Sequence, residues 1–449
     1  MPQNHPEKQQ PKQQKLKNKQ KSMTKFSADS REAIECIQLA EIQKLLKVIL
    51  QKNKFYKKKL NHTKLNHSIE SLEKFRELCP LTTKSELVSD HHTNSPFGSN
   101  LTFPIEQYTR AHKTSGTSGK PIVWLDTNDG WEWMVDSWCD IFKASGVSSN
   151  DRIFFAFSFG PFIGFWLAFE AGKKLESMNI PGGGLSSTAR LQSIFTHQAN
   201  ILCCTPTYAL RLAEVARAEN IDLNNSPVRS IIVAGEPGGS IQSTRNALEK
   251  AWPKSSIFDH HGMTEVGPVT YQCPDQPGVL HVLENAYFPE IIDNKTKKPV
   301  KANETGELVL TTLGRYGSPL LRYQTGDLVK ASKSSRCSCG TYNLRLDGGI
   351  LGRVDDMLVI RGVNVYPSAI EEIIRDIGGV DEYQVNVTNN NALSEISIDI
   401  EPEAQKDKNI TERLSNAFKE NLSLRIPIQT VEPHSLPRFE LKAQRWIIK

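Results

Sequence analysis

Between Arg152 and Gly262 the chain alternates two periodicities. Short apolar runs (RIFFAF, ILCCTP, SIIVAG) have the length of buried strands, and helical stretches such as TYALRLAEVARAE and IQSTRNALEKAW separate them. Alternation of this kind predicts an α/β sheet with crossover helices. Ligands on such sheets sit outside the carboxyl ends of the strands, which is where CTPTY and AGEPGGS fall. The adjacent pair Cys203 and Cys204 reads as a strand that packs both of its faces rather than as reactive thiols.

The flanks read differently. From about Ser27 to Leu78 the apolar spacing is helical, and PLTTKSEL restarts a helix with a capping hydroxyl at Thr82 or Thr83. From Glu307 onward the text turns strand-rich. After Gly352 a smaller α+β unit begins, with a helix at SAIEEIIRDI and a hairpin turning at Asn389 to Asn391. With 449 residues, two or three domains are expected. The fold class is therefore α/β: a large multi-sheet domain with a strand-rich subregion over 26–352, and a small mobile C-terminal α+β domain over 353–449. No internal repeat is visible.

Charge sets aside one class of function. Residues 1–25 carry seven lysines against one glutamate, +6 of a total of +5, which leaves the remainder at −1. That Gln/Lys tail has almost no large apolar residues and is expected to be disordered, with Met23 as an alternative start. A nucleic-acid or membrane partner is therefore not expected. No run approaches the ~20 apolar residues of a membrane span, and no signal peptide opens the sequence. Eight cysteines without a secretory signal point to a reducing, cytoplasmic compartment.

Six stretches carry chemistry. KTSGTSGKP, Lys113 to Pro121, packs glycines, hydroxyls and a trailing lysine into nine positions. Its backbone can approach a ligand closely and form a nest for phosphate oxygens, although such a stretch also suits a linker. In HHGMTEVGP, Glu265 follows a Gly-x-Thr bend, where a carboxylate can hold a divalent cation against phosphate oxygens; a plain surface turn is the alternative. YQTGDLV places Asp327 at a turn into a strand, ready to accept from vicinal hydroxyls such as those of ribose. In LGRVDDML, Arg353 and Asp355 fall between the two compositional halves. Finally, CSCG sets Cys337 and Cys339 on one side of an extended segment, and YQCPDQPGVLHV supplies Cys273 and His281. Three thiolates and an imidazole make a closed structural zinc set, against the alternative of four unligated side chains on loops.

Together, in this order, the motifs resemble those of the adenylate-forming superfamily of acyl-coenzyme A synthetases, luciferases and adenylation domains, and within it the phenylacetate–coenzyme A ligase-like branch. The resemblance runs from about Pro80 to Lys449 and includes SFGPFIGF, CTPTYALRLAE, AGEP, RGVNVYPSAIEE and PRFELKAQRW. It implies that Thr114, Ser115, Gly116, Thr117, Ser118, Gly119 and Lys120 grip the β- and γ-phosphates of ATP, and that Glu265 stands beside Mg²⁺. It implies that Asp327 and Arg353 hold the ribose hydroxyls, and that Gly235, Glu236 and Pro237 line the adenine site. His261, Gly262, Met263 and Thr264 complete the motif that ends in Glu265; the family's aromatic is here His261, an imidazole that can also stack. Lys442, preceded by Leu441 where the family usually has glycine, matches the lysine that bridges the acyl carboxylate and the α-phosphate. Asp355 matches the hinge about which the small domain swings. Some members of the branch carry a zinc set in the region of Cys273, His281, Cys337 and Cys339.

The implied activity is ATP-dependent activation of a small carboxylic acid, aryl or arylacetic, to an acyl-adenylate with release of pyrophosphate, followed by transfer to the thiol of coenzyme A. Phe159 and Phe162 align with positions lining the phenylacetate pocket, and core packing is the competing account of each. Activation motifs are shared, so a carrier-protein phosphopantetheine or an amine remains open as the acceptor. A non-catalytic nucleotide-binding relative is the third reading, opposed by Glu265, Asp327, Arg353 and Lys442. A homodimer is compatible with the sequence.

Overall fold

The computed structural model describes residues 30–114, 122–332, 335–361, 363–390, 393–403, 409–439 and 443–448. The basic tail, Ser115–Lys120, and Lys442 with its neighbour Leu441 lie outside the described residues.

The helical N-terminal region begins at Arg31–Lys52, where the Ser30 hydroxyl accepts from the Ala33 amide. Ile42, Leu45, Leu46 and Ile49 recur at helical spacing and bury one stripe against Phe75, Phe288 and Leu321. The helix Lys84–Thr93 is capped by Thr83 through a reciprocal box with Glu86. Thr82 has another task, donating its hydroxyl to the Leu321 carbonyl at 2.7 Å.

The alternating segment forms a five-stranded parallel sheet. Its strand order is Met178–Pro181, Arg152–Phe155, Ile201–Cys204, Ser230–Val233 and Ser256–Asp259. Helices Asn128–Ala144 and Ile163–Lys174 cover one face; Ser187–Thr196, Pro206–Ala218 and Gln242–Ala251 cover the other. Cys203 packs into the first core and Cys204 into the second.

The strand-rich region starts earlier in the chain than Glu307. A six-stranded antiparallel sheet runs in the order Thr270–Gln272, Val279–Val282, Arg345–Arg353, Tyr323–Ala331, Thr305–Thr312, Tyr287–Ile292. The first two of these strands are short and separated by a Pro/Gly loop, so they carry little periodicity of their own. Asp327 and Arg353 are direct register partners on neighbouring strands.

After Arg353 a third sheet follows, in which Val380–Asn390 and Leu393–Pro402 form the long hairpin. These strands continue to Asn390 and resume at Leu393, which moves the turn past Asn389 and Asn390. Helices Pro367–Ile377 and Ile410–Leu422 pack on this sheet through a core including Ile370, Ile374, Leu414 and Phe418. Strand Trp446–Ile448 lies parallel to Val385–Val387 and returns the chain's end to this sheet.

Candidate active site and a cysteine–histidine cluster

Two paired strands flank the glycine-rich stretch, most of which lies outside the described residues. Strands Tyr108–Lys113 and Val123–Thr127 pair with Lys113 opposite Val123. Thr114 closes the base of the loop twice: its amide donates to the Ile122 carbonyl, and its hydroxyl oxygen accepts from the Ile122 amide, each at 3.1 Å. Thr114 is buried. The Lys113 amide donates to the Pro161 carbonyl, joining this hairpin to the segment that carries Phe159 and Phe162.

Glu265 occupies a second tight turn, between the strand pairs Gly262–Met263 and Gly267–Pro268. Gly267 has φ 94°, and a Cβ there would stand 2.9 Å from the Met134 sulfur, so only glycine lets the turn close onto the core. The turn is held from outside by Arg315. Its Nη1 donates to the Thr264 and Glu265 carbonyls at 3.0 and 2.6 Å, while Nε and Nη2 form a two-pronged pair with the Asp126 carboxylate at 2.7 and 2.8 Å. The Glu265 side chain is buried, and Lys84 Nζ lies 3.7 Å from Oε1. Arg315 carries no sequence signal, being a lone arginine in a Gly-rich connection; only the fold reveals its part.

Asp327, buried on strand Tyr323–Ala331, faces two partners. Arg353 Nη1 donates to Oδ1 at 2.9 Å, and His261 Nε2 lies 3.0 Å from Oδ2. The structure thus puts His261 beside the carboxylate expected to hold ribose. The same guanidinium reaches the other way, with Nε and Nη2 donating to Asp355 at 2.9 and 3.1 Å.

Gly235, Glu236 and Pro237 follow strand Ser230–Val233 at its carboxyl end, with Gly235 at φ 95°. Glu236 accepts from the Thr207 amide in the first turn of helix Pro206–Ala218 and from the Ala443 amide, each at 2.8 Å. Burial pushes its carboxyl above the usual range, against the pull of these donors. Ala443 follows Lys442 in the chain, so a large-domain carboxylate grips the backbone next to that lysine. Two residues on, Arg445 anchors the segment from below, its Nε donating to Glu382 at 2.6 Å.

Phe159 and Phe162 belong to an aromatic run. Phe159 meets Phe157, Trp166 and Phe169 at ring-centroid distances of 5.0 to 5.5 Å, and Phe162 meets Phe165 edge-on at 6.2 Å. Both are half-buried.

The four candidate zinc ligands come together from three segments. Cys273 follows strand Thr270–Gln272, His281 lies on Val279–Val282, and Cys337 and Cys339 sit in a turn closed by the Gly340 amide on the Cys337 carbonyl. Their ligand atoms all lie within 4.8 Å of one another. Cys273 and Cys337 sulfurs are 3.6 Å apart, and Cys339 sulfur is 3.4 Å from His281 Nε2. Thiolates on one tetrahedral zinc would stand about 3.8 Å apart, given Zn–S bonds of about 2.3 Å. His281 Nδ1 lies 3.2 Å from the Asn343 carbonyl, which selects the tautomer whose Nε2 lone pair faces the thiols. Burial holds His281 down to about 4, so its imidazole is neutral and can ligate, and burial raises the Cys339 thiol. The donor set fits zinc.

Comparison with known proteins agrees with this geometry. Residues 112–314 match the family model described as AMP-binding enzyme, and 362–448 match the AMP-binding enzyme C-terminal domain. The chain belongs to this adenylate-forming family, among its AMP-forming acid–thiol ligases. Relatives of similar length are phenylacetate-coenzyme A ligases. That of Pseudomonas putida is 30% identical over 84% of this chain and 84% of its own; that of Thermus thermophilus is 28% identical over 91% and 95%. Among solved structures, 2-hydroxyisobutyryl-CoA ligase in the postadenylation state with 2-HIB-AMP is 25% identical, covers 94% of this chain and 91% of its own, and has a TM-score of 0.89. The same ligase with 2-HIB-AMP and CoA in the thioesterification state is 26% identical over the same shares, with a TM-score of 0.72. Among the described residues no helix is long and apolar enough to cross a membrane.

Proposed function

We propose that the protein activates a small carboxylic acid with ATP, forming an acyl-adenylate and pyrophosphate, and then passes the acyl group to the thiol of coenzyme A. The observation that carries this reading is the meeting of Asp327, Arg353 and His261 near the turn of Glu265, at the carboxyl edge of the parallel sheet. Attack of a carboxylate on the α-phosphate must overcome repulsion between anions. The glycine loop above Thr114 and Lys442 supply donors and positive charge at that point. Asp327 accepts from the ribose hydroxyls and orients the nucleotide. In this reading Glu265 holds Mg²⁺, which when bound neutralises phosphate charge. The aromatic run with Phe159 and Phe162 receives the apolar part of the acid. The Cys273, His281, Cys337 and Cys339 cluster is filled by protein donors alone, so its zinc is structural.

The small domain, taken from Arg353 onward with its hinge at Asp355, sits in the adenylating pose. The higher TM-score with the postadenylation structure and the grip of Glu236 on the Ala443 amide support this. A panel of carboxylic acids scored by ATP–pyrophosphate exchange, with and without coenzyme A, tests the reading. Exchange with an acid and thioester with coenzyme A are expected; exchange without thioester would transfer the second step to a carrier-protein phosphopantetheine or an amine.

A further inference from the structure

The segment that carries Lys442 is held on both sides. Downstream, Glu236 takes the Ala443 amide and Glu382 takes Arg445. Upstream, the holder is Arg438. Its Nη1 and Nη2 donate to the Glu401 carboxylate at 3.1 and 2.5 Å. Glu401 lies on strand Leu393–Pro402 and also accepts from the His434 and Leu436 amides at 3.0 and 2.6 Å, so this knot lies wholly on the C-terminal side of Asp355. The third arm of the guanidinium reaches elsewhere. Nε has no hydrogen-bond partner among the described residues and stands 3.6 Å from Glu214 Oε2, on helix Pro206–Ala218 of the parallel-sheet region.

That helix carries a charged face. Arg211, Glu214 and Arg217 recur at three-residue spacing, which puts them side by side along the helix. Arg211 Nη1 meets Glu214 Oε2 at 2.8 Å. Arg217 Nη2 lies 3.8 Å from Asp381 Oδ1, but Arg217 is 69% exposed and water weakens that pair. Arg438 and Glu214 are only 16% and 21% exposed, so of these two pairs across the domain boundary theirs is screened less. The first turn of the same helix supplies the Thr207 amide, which shares Glu236 with Ala443.

A small domain that turns as a body keeps Arg438 with Glu401 and parts it from Glu214. The Glu214 contact therefore differs between poses, and only a differing contact can bias their equilibrium. Resting on the ligase reading above, we infer that Glu214 and Arg438 are positioning residues for adenylation: their ion pair across the domain boundary holds the approach to Lys442 in the adenylating pose. They act through the pose rather than on the reacting atoms.

The test uses the full-length protein and two half-reactions: adenylate formation read by ATP–pyrophosphate exchange, and thioester formation from supplied acyl-adenylate and coenzyme A. The acid is phenylacetate, or whichever member of the panel above supports exchange. Glu214→Lys sets like charges face to face across the boundary, so exchange should slow on the order of 10-fold while transfer holds or quickens. Arg211→Met removes Glu214's partner within the helix and leaves the pair across the boundary, so its ratio of exchange to transfer should not fall. Arg438→Gln also loses Glu401, and a double-mutant cycle separates the two losses: in that background Glu214→Gln should cost exchange nothing further. A merely structural role would lower both half-reactions together. Equal losses in Glu214→Lys, a fallen ratio in Arg211→Met, or additive losses in the cycle would each overturn the inference and leave the ligase reading standing. Exchange with no acid at all would overturn the ligase reading and the inference with it.

Discussion

Arg315 and Asp126 are both without side-chain exposure and share a bidentate pair, and Arg315 also carries the turn of Glu265. Removing one member of such a pair leaves a buried charge uncompensated, at a cost of about 3–5 kcal/mol. Arg315→Met should lower the denaturation midpoint accordingly and slow adenylation as the turn loosens; chemical denaturation with activity measured on the folded fraction checks both. Asp140 gives a pH signature. It is buried with Asn285 Nδ2 at 3.4 Å, and burial pushes its carboxyl up to about 7. The folded protein therefore keeps a proton that the unfolded chain releases near the usual aspartate range. More protons on the folded state mean that this contribution to stability falls as pH rises, across the window from about 4 to 7. Asp140→Asn should remove it, so that the stability gained over wild type grows through that window; melting curves at pH 4.5, 5.5 and 7.5 would contradict this by moving in parallel.

At the scale of elements, the cluster proposed to hold zinc brings the loop after Cys273 together with the turn at Cys337–Cys339. Cys337→Ser with Cys339→Ser should abolish about one bound zinc per chain and lower the melting temperature, while the adenylating groups remain in place. Elemental analysis and calorimetry on protein purified without chelator decide it. The sequence made this cluster legible because C-x-C and a Cys…His pair are sparse, unmistakable side chains. It made the parallel sheet legible because its buried strands are short apolar runs between turn residues. The antiparallel strands Thr270–Gln272 and Val279–Val282 were hidden by their brevity. Arg315 was hidden for another reason: a single arginine has no periodicity, and its meaning comes from partners supplied by distant segments.

At the scale of the whole molecule, the two domains meet where Glu236 accepts from Ala443. In Glu236→Gln the amide can accept from only one of the two backbone donors, so the grip beside Lys442 weakens. Adenylate formation should fall by roughly 10-fold, about 1.4 kcal/mol as for one charge-assisted hydrogen bond. Thiol transfer from a supplied acyl-adenylate should fall less. Equal losses in the two half-reactions would show that Glu236 serves the nucleotide rather than the pose. Asp355→Pro fixes φ and removes a backbone donor, so one pose should be trapped: pyrophosphate exchange persists and thioester formation fails. A variant competent in both steps would move the domain boundary away from residue 355.

One guanidinium spans the carboxylate proposed to hold ribose and the proposed hinge residue, since Arg353 donates to Asp327 with one arm and to Asp355 with the others. A nucleotide that draws on Asp327 must redistribute that fork, and a swing about Asp355 must do the same from the opposite side. The two events share a coupling free energy, and coupling of this kind is reciprocal. Whatever factor nucleotide occupancy exerts on the equilibrium between poses, the pose exerts the same factor on nucleotide affinity.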